Sequence, residues 1–206
     1  MSETQGKSKF FTTRNLVQLA LLTAIIVLMS FTPIGYLRTP IVEITFITVP
    51  VVVGAIVIGP AAGAFLGGVF GVTSFIQCFG MSQFGTTLFS INPVFTFILC
   101  IVPRVLMGWL CGLIFRALNR SDRTKLQLLS YGVGALSGPV LNTVLFVLFL
   151  IVLFGSTDYI RGFGPNIPAI IVTIVGLNGV IEAVVCTVLG AAVSRAVDAA
   201  LKRMHR

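Results

Sequence analysis

The chain has 206 residues, of which 56% are hydrophobic and only 10% are charged. A soluble domain carries about 25% charged residues, so this composition excludes a soluble protein and predicts an integral membrane protein. The net charge of +8 comes from cations that flank apolar segments and form no basic patch among aromatic residues, which argues against a nucleic-acid partner.

Six apolar helices are predicted after a polar N-terminal tail at residues 1–13. The first helix covers residues 15–31, and the outer loop after it contains an alternating apolar and polar segment, residues 41–45, which is typical of a short extended strand. The second helix covers residues 46–58, and a Gly-Pro pair separates it from the third helix at residues 61–79. This short connection predicts antiparallel neighbours, and the small residues of the third helix predict close helix packing.

The fourth helix is predicted at residues 93–118, after a polar, uncharged loop at residues 80–91. Asn92 is its expected N-cap. Pro103 lies inside it and is expected to kink the helix and to free the carbonyl group four residues earlier.

The fifth helix is predicted at residues 126–154, with a bend at Pro139, and the sixth begins at residue 168 and continues into a charged tail. Six spans place both termini on one side, together with eleven of the 14 cations, whereas only Arg38 and Arg161 lie on the other side. The positive-inside rule then predicts cytoplasmic termini. Residues 14–206 are expected to form one all-α, six-helix transmembrane domain.

Polar side chains of three helices are predicted to lie at one depth in the membrane. At about 1.5 Å per residue from the outer helix ends, Arg104 of the fourth helix and Asn142 of the fifth lie about 18 Å deep. On the sixth helix, Asn178 and Glu182 lie about 15 and 21 Å deep and share a face. Arg104 keeps its charge at physiological pH, so a chain that buries it must provide partners.

Two interpretations of these residues remain open. Arg104 and Glu182 could form a buried ion pair that only holds the fourth helix against the sixth. A pair used only for packing is often no better than apolar residues, and ionisable groups inside the membrane more often mark substrate or ion sites. The second interpretation is therefore a binding site for a small anion that also carries hydroxyl or amide groups.

Three weaker signals complete the candidate sites. Gln77 and Asn92, near the outer helix ends, could line the mouth of the site, or could serve only interfacial solvation and helix capping. Ala20 and Ala24 form an A-x-x-x-A face on the first helix, which suits ordinary packing or docking to another membrane protein.

No metal site, cofactor or catalytic residue is predicted in this chain. Its only histidine is His205, and its cysteines are scattered through apolar segments without a CxxC pair. A membrane enzyme is accordingly the least favoured function class.

The chain resembles the substrate-binding (S) components of energy-coupling factor (ECF) vitamin transporters. The resemblance covers the six-helix plan, the alanines of the first helix, and residues 53–67 (VGAIVIGPAAGAFLG), which look like that family's turn between helices 2 and 3. Residues 22–36 and 70–75 (FGVTSF) are most similar to the pantothenate-specific members.

The resemblance implies a vitamin as ligand and a multi-pass location in the bacterial cell membrane. It also implies three protein partners, a transmembrane coupling protein and two ATPases that use the ATP, with Ala20 and Ala24 facing the coupling protein. Outer loops would close over the vitamin, and the loaded subunit would topple to deliver it inward. Arg104 would then hold a carboxylate of the ligand. Asn142 and Asn178 would form hydrogen bonds with its amide or hydroxyl groups. Glu182 would accept from a hydroxyl group or orient Arg104.

Two alternatives to pantothenate uptake stay open. The site could take another small vitamin or precursor, because Glu182 beside Arg104 leaves room for an uncharged ligand. The chain could instead be a self-sufficient secondary transporter with Glu182 as proton relay, although no inverted repeat is evident in its sequence.

Overall fold

The computed structural model describes residues 12–32, 36–38, 43–119, 124–164 and 166–203. These residues form a helical bundle with one short β-hairpin. The predicted N-terminal tail lies almost wholly outside the described residues, and so does the charged loop at 120–123. In chain order the elements are α1 (Thr13–Ser30), β1 (Tyr36–Arg38), β2 (Glu43–Thr45), α2 (Thr48–Val57), α3 (Pro60–Gln77), α4 (Gln83–Ile91), α5 (Pro93–Leu118), α6 (Thr124–Phe154), α7 (Asp158–Arg161) and α8 (Ile167–Arg203).

Five helical segments in the described part of the chain are long and apolar enough to cross a membrane. They are Thr13–Ser30, Pro60–Gln77, Pro93–Leu118, Ser130–Phe154 and Gly179–Val197. The second predicted helix forms α2, but its ten residues rise only about 15 Å, roughly half the hydrocarbon thickness. The described residues therefore support a multi-pass membrane protein with five candidate spans, and the count of six transmembrane helices stays a prediction.

A two-stranded hairpin occupies the loop between α1 and α2. Strands β1 and β2 pair antiparallel, with Tyr36 opposite Thr45 and Arg38 opposite Glu43. The predicted extended segment is confirmed at residues 43–45, whereas residues 41 and 42 lie outside the described residues. Strand β2 leads almost directly into α2, so the hairpin is tied closely to the helix bundle.

The prediction of an irregular loop at residues 80–91 is wrong, because Gln83–Ile91 forms helix α4. The Ser82 side chain caps this helix by accepting a hydrogen bond from the Gly85 amide. Along α4, the hydroxyl groups of Thr86, Thr87 and Ser90 donate to the carbonyl oxygens four residues earlier. These local bonds satisfy the hydroxyl groups that make the segment resemble a loop.

Helix α8 is broken at Gly176, whose backbone angles (φ 37°, ψ −145°) are not helical. A positive φ of this kind is readily adopted only by glycine. The break separates a first segment, Ile167–Gly176, from the long segment that begins at Gly179. It lies two residues before Asn178, so the sixth predicted helix is interrupted close to a candidate binding residue.

Glycines bring α3 and α5 into backbone contact, as the small-residue pattern predicts. A Cβ added at Gly63 would lie 2.2 Å from the Gly108 carbonyl oxygen, and one at Gly67 would lie 2.1 Å from that of Arg104. Only helices without side chains at the contact can approach so closely. This packing fixes the backbone of Arg104 against α3.

Three apolar clusters form the core of the described residues, and two of them border the candidate site. One, drawn mainly from α1, α2 and α3, includes Ile26, Val51 and Phe70. The other, near the ends of α4, α6 and α8, includes Leu88 and Phe154. Arg104 of α5 contacts Phe70 of the first cluster and Phe146, which packs against the second.

Candidate functional site

Arg104 lies inside α5, directly after Pro103. Proline has no backbone N–H, so it cannot make the helical bond to the carbonyl group of Leu99. The Arg104 Nη1 atom donates to that carbonyl oxygen at 2.7 Å instead. The prediction of a freed carbonyl beside Arg104 is confirmed, and the side chain of Arg104 satisfies it.

Two aromatic rings hold the guanidinium group of Arg104. Its Cζ atom lies 5.5 Å from the ring centre of Phe70 on α3 and 4.9 Å from that of Phe146 on α6. Each cation–π contact of this kind contributes about 0.5–2 kcal/mol, the larger value applying away from water. The Nε atom is buried and has no hydrogen-bond partner among the described residues, so this edge of the guanidinium can still bind another group.

Glu182 is 7% exposed, and its two carboxylate oxygens differ. Oε2 accepts a hydrogen bond from the backbone N–H of Thr45, the last residue of β2, at 3.4 Å. Oε1 is buried without a partner in the described structure. One turn further along α8, Cys186 Sγ accepts from the Thr48 hydroxyl group at 3.2 Å. Glu182 and Cys186 thus join α8 to the segment between the hairpin and α2.

The structure does not form the direct ion pair that one interpretation of the sequence requires. Arg104 and Glu182 are near enough to attract each other electrostatically, but the guanidinium donates to Leu99 and the carboxylate accepts from Thr45. Arg104 Nε and Glu182 Oε1 therefore keep unused hydrogen-bonding capacity.

Asn142 of α6 completes this group. It is 8% exposed, interacts with the Glu182 carboxylate, and lies one helical turn from Phe146, which contacts Arg104. Its Oδ1 atom is buried without a hydrogen-bond partner among the described residues. The structure thus brings together Arg104, Asn142 and Glu182 from three helices, as counting from the helix ends predicts.

Three of the five buried side-chain atoms that lack a partner in the described residues belong to this group. They are the donor Arg104 Nε and the acceptors Asn142 Oδ1 and Glu182 Oε1. Most buried polar atoms of native proteins are hydrogen-bonded, and an exception calls for an explanation such as a bound molecule. A small polar ligand that offers both acceptors and donors would satisfy all three atoms.

The remaining candidate ligand residues are Asn178, Asn92 and Gln77. The side chain of Asn178 lies outside the described side chains. Asn92 Oδ1 accepts from the amides of Val94 and Phe95 and caps α5. Gln77 donates to the carbonyl oxygen of Ser30, which ties α3 to α1. Asn92 and Gln77 are thus hydrogen-bonded within the protein and are not brought to Arg104.

Sequence reasoning missed Thr45, Phe70 and Phe146 as neighbours of the polar group. Phe146 follows Asn142 by four residues, so helical spacing alone could have placed it on the same face. No comparable signal marks Thr45, because its contribution is a backbone N–H. Phe70 becomes a neighbour of Arg104 only through the packing of α3 on α5.

A separate apolar groove runs along α1. Ala20 and Ala24 are exposed and line this groove of about 810 Å³ together with Thr23 and, from α3, Phe65. The groove lies on the outside of the bundle, so its alanines are accessible to a membrane partner.

No group of three metal-ligating side chains (His, Cys, Asp or Glu) occurs in the part of the chain that the structure describes. Fold and site together define a membrane protein with a polar, partly unsatisfied centre between its helices. A sequence model described as "ECF transporter, substrate-specific component" matches residues 14–194. The chain belongs to this family and is a transporter component rather than an enzyme.

Two named relatives share most of the chain's length. The protein is 28% identical to "Pantothenic acid transporter PanT" of Lactococcus lactis in an alignment of 166 residues that covers 74% of this chain and 76% of that protein. It is 30% identical to "Pantothenate transporter PanT" of Leuconostoc mesenteroides over 191 residues, which is 88% of this chain and 90% of the relative.

Proposed function

We propose that this protein captures pantothenate from outside the cell and delivers it inward as the substrate-specific subunit of an ECF importer. Two relatives named as pantothenate transporters support this ligand. The observation that carries the proposal is the cluster of unpaired buried atoms on Arg104, Asn142 and Glu182.

The chemistry of pantothenate matches the three unpaired atoms. It carries a carboxylate, an amide and two hydroxyl groups. The carboxylate would accept from Arg104 Nε, and the amide N–H and hydroxyl groups would donate to Asn142 Oδ1 and Glu182 Oε1. Asn178, next to the break in α8, would supply a further amide. Asn92 and Gln77 would contribute only at the mouth of the site.

Arg104→Ala tests this function. Charge-assisted hydrogen bonds contribute about 1.5–3 kcal/mol each. The loss of two such bonds, from Nε and the adjacent Nη2 of Arg104, should raise the Kd for pantothenate by at least about 100-fold. Isothermal titration calorimetry of the detergent-purified protein measures this change. Arg116→Ala is the matched control, because Arg116 is exposed in the last turn of the same helix. Unchanged affinity of Arg104→Ala would contradict the proposed role.

The ligand and the class of transporter need separate experiments. Mass spectrometry of the small molecule released from purified protein distinguishes pantothenate from another vitamin or precursor. Uptake into liposomes that contain only this protein distinguishes an ECF subunit from a secondary transporter. Robust uptake driven by a proton gradient without ATPases would favour the secondary transporter with Glu182 as its proton relay.

The proposal extends to topology and partners. The distribution of cations predicts cytoplasmic termini in the bacterial cell membrane, with α2 and its hairpin completing a sixth crossing. The chain would dock a transmembrane coupling protein through Ala20 and Ala24, and two ATPases would use ATP to drive its toppling. The exposed alanines and the groove on α1 support this docking face.

A further inference from the structure

We propose that Pro103 is a positioning residue, which orients the guanidinium of Arg104 and thereby makes the site selective for a carboxylate. This inference rests on the proposed function, because it takes Arg104 as the group that binds the anionic end of the ligand.

The first step concerns the carbonyl group that Pro103 leaves free. In a regular helix the N–H of residue 103 would bond to the carbonyl oxygen of residue 99, and proline cannot make this bond. Leu99 is 1% exposed, so water has little access to its carbonyl group, and an unpaired buried carbonyl destabilises a fold. The Nη1 atom of Arg104 donates to it at 2.7 Å. Pro103 thus creates the acceptor that holds Arg104.

The second step concerns the edge of the guanidinium that stays available. Nη1 is bonded to Leu99, and the rings of Phe70 and Phe146 restrict the position of the group. Nε has no partner among the described residues. Nε and Nη2 form one edge of the planar group, and two such parallel donors match the two oxygens of a carboxylate. A hydroxyl group has a single oxygen and no negative charge, so it matches this edge less well.

The chain contains a matched proline for comparison. Pro139 is also buried inside a long helix, α6. Its sequence neighbours, Gly138 and Val140, carry no charge. Pro139→Ala therefore restores a helical N–H in the helix that carries Asn142 and Phe146, without changing the Leu99 carbonyl group that accepts from Arg104 Nη1.

Calorimetry with two ligands tests the inference. We expect Pro103→Ala to raise the Kd for pantothenate about tenfold, because Leu99 regains its helical bond and Arg104 loses its fixed orientation. The Kd for the neutral analogue, in which a CH₂OH group replaces the carboxylate, should change less than twofold. Pro139→Ala should change both Kd values by the same factor, because it leaves the bond between Arg104 and Leu99 in place. Equal weakening of both ligands, or no weakening of either, would overturn the inference.

A second variant covers the case in which Pro103→Ala does not fold. Arg104→Lys keeps the charge but has no two-donor edge, so its preference for pantothenate over the neutral analogue should fall. If Arg104→Lys still prefers pantothenate as strongly as the original protein, the selectivity does not come from the edge of the guanidinium.

A readout without ligand separates this inference from the proposed function. Arg104→Met leaves the Leu99 carbonyl unpaired in the original chain but not in Pro103→Ala. It should therefore lower the melting temperature at least twice as much in the original chain as in the Pro103→Ala background. Additive effects would overturn the positioning role, whereas failure of the original protein to bind pantothenate would refute only the proposed ligand.

Discussion

Gly67 holds α3 against the backbone of Arg104, and Gly67→Ala should disturb both the fold and the site. The added Cβ would lie 2.1 Å from the Arg104 carbonyl oxygen, 2.8 Å from its carbon and 3.2 Å from Val105 Cα. All three are backbone atoms, so no side-chain rotation relieves the overlap. The neighbouring residue offers a control in the same helix, because a Cβ at Gly68 meets only Val105 Cγ2, at 3.6 Å.

The size of the effect follows from these distances. An ordinary van der Waals contact begins near 3.4 Å, so α3 and α5 must separate by roughly 1 Å at Arg104, and overpacking of this kind costs about 1–3 kcal/mol. For a chain of this length each kcal/mol lowers the Tm by about 2–4 °C. Gly68→Ala should be neutral or stabilising by up to about 1 kcal/mol, because alanine is the better helix former.

Thermal unfolding in detergent and calorimetric titration measure both consequences. Gly67→Ala should lower the Tm by a few degrees to about 10 °C. It should also weaken pantothenate binding about tenfold or more, because displacement of a binding group by about 1 Å is costly. Gly68→Ala should keep the affinity within twofold. Equal melting temperatures and affinities of the two variants would refute the reasoning that this helix contact positions Arg104.

Two further predictions concern the hairpin and the groove on α1. Glu182→Ala removes the acceptor of the Thr45 N–H and should speed hydrogen–deuterium exchange of this amide, measured by mass spectrometry. In Glu182→Gln, which keeps an acceptor, the same amide should exchange slowly. Unchanged exchange in Glu182→Ala would show that the bond does not hold the hairpin. Ala20→Trp and Ala24→Trp should spare pantothenate binding but impair co-purification with the coupling protein, since a bulky ring fills the groove. Leu21→Trp, on the exposed side of α1 outside the groove, should leave both pantothenate binding and co-purification unchanged. Intact complexes of the alanine variants would exclude this docking face.

The sequence by itself determined the elements whose signals are local. The bounds of α5 follow from Asn92 as cap and Pro93 in the first turn, and the structure reproduces both. The small residues of α3 predicted its close approach to another helix. Counting from helix ends placed Arg104, Asn142 and Glu182 at one level, because helical rise is constant and a buried charge needs partners.

Only the tertiary structure decided how these groups are paired. Helix α4 was missed because its hydroxyl groups are satisfied by carbonyl groups of the same helix, which composition does not reveal. The partner of Glu182 is a backbone N–H of the hairpin. Every residue except proline has such a group, so the sequence does not indicate which one contacts Glu182. The rings of Phe70 and Phe146 reach Arg104 through helix packing. Residue types therefore predicted which polar groups need partners, whereas the contacts between distant segments decided which partners they have.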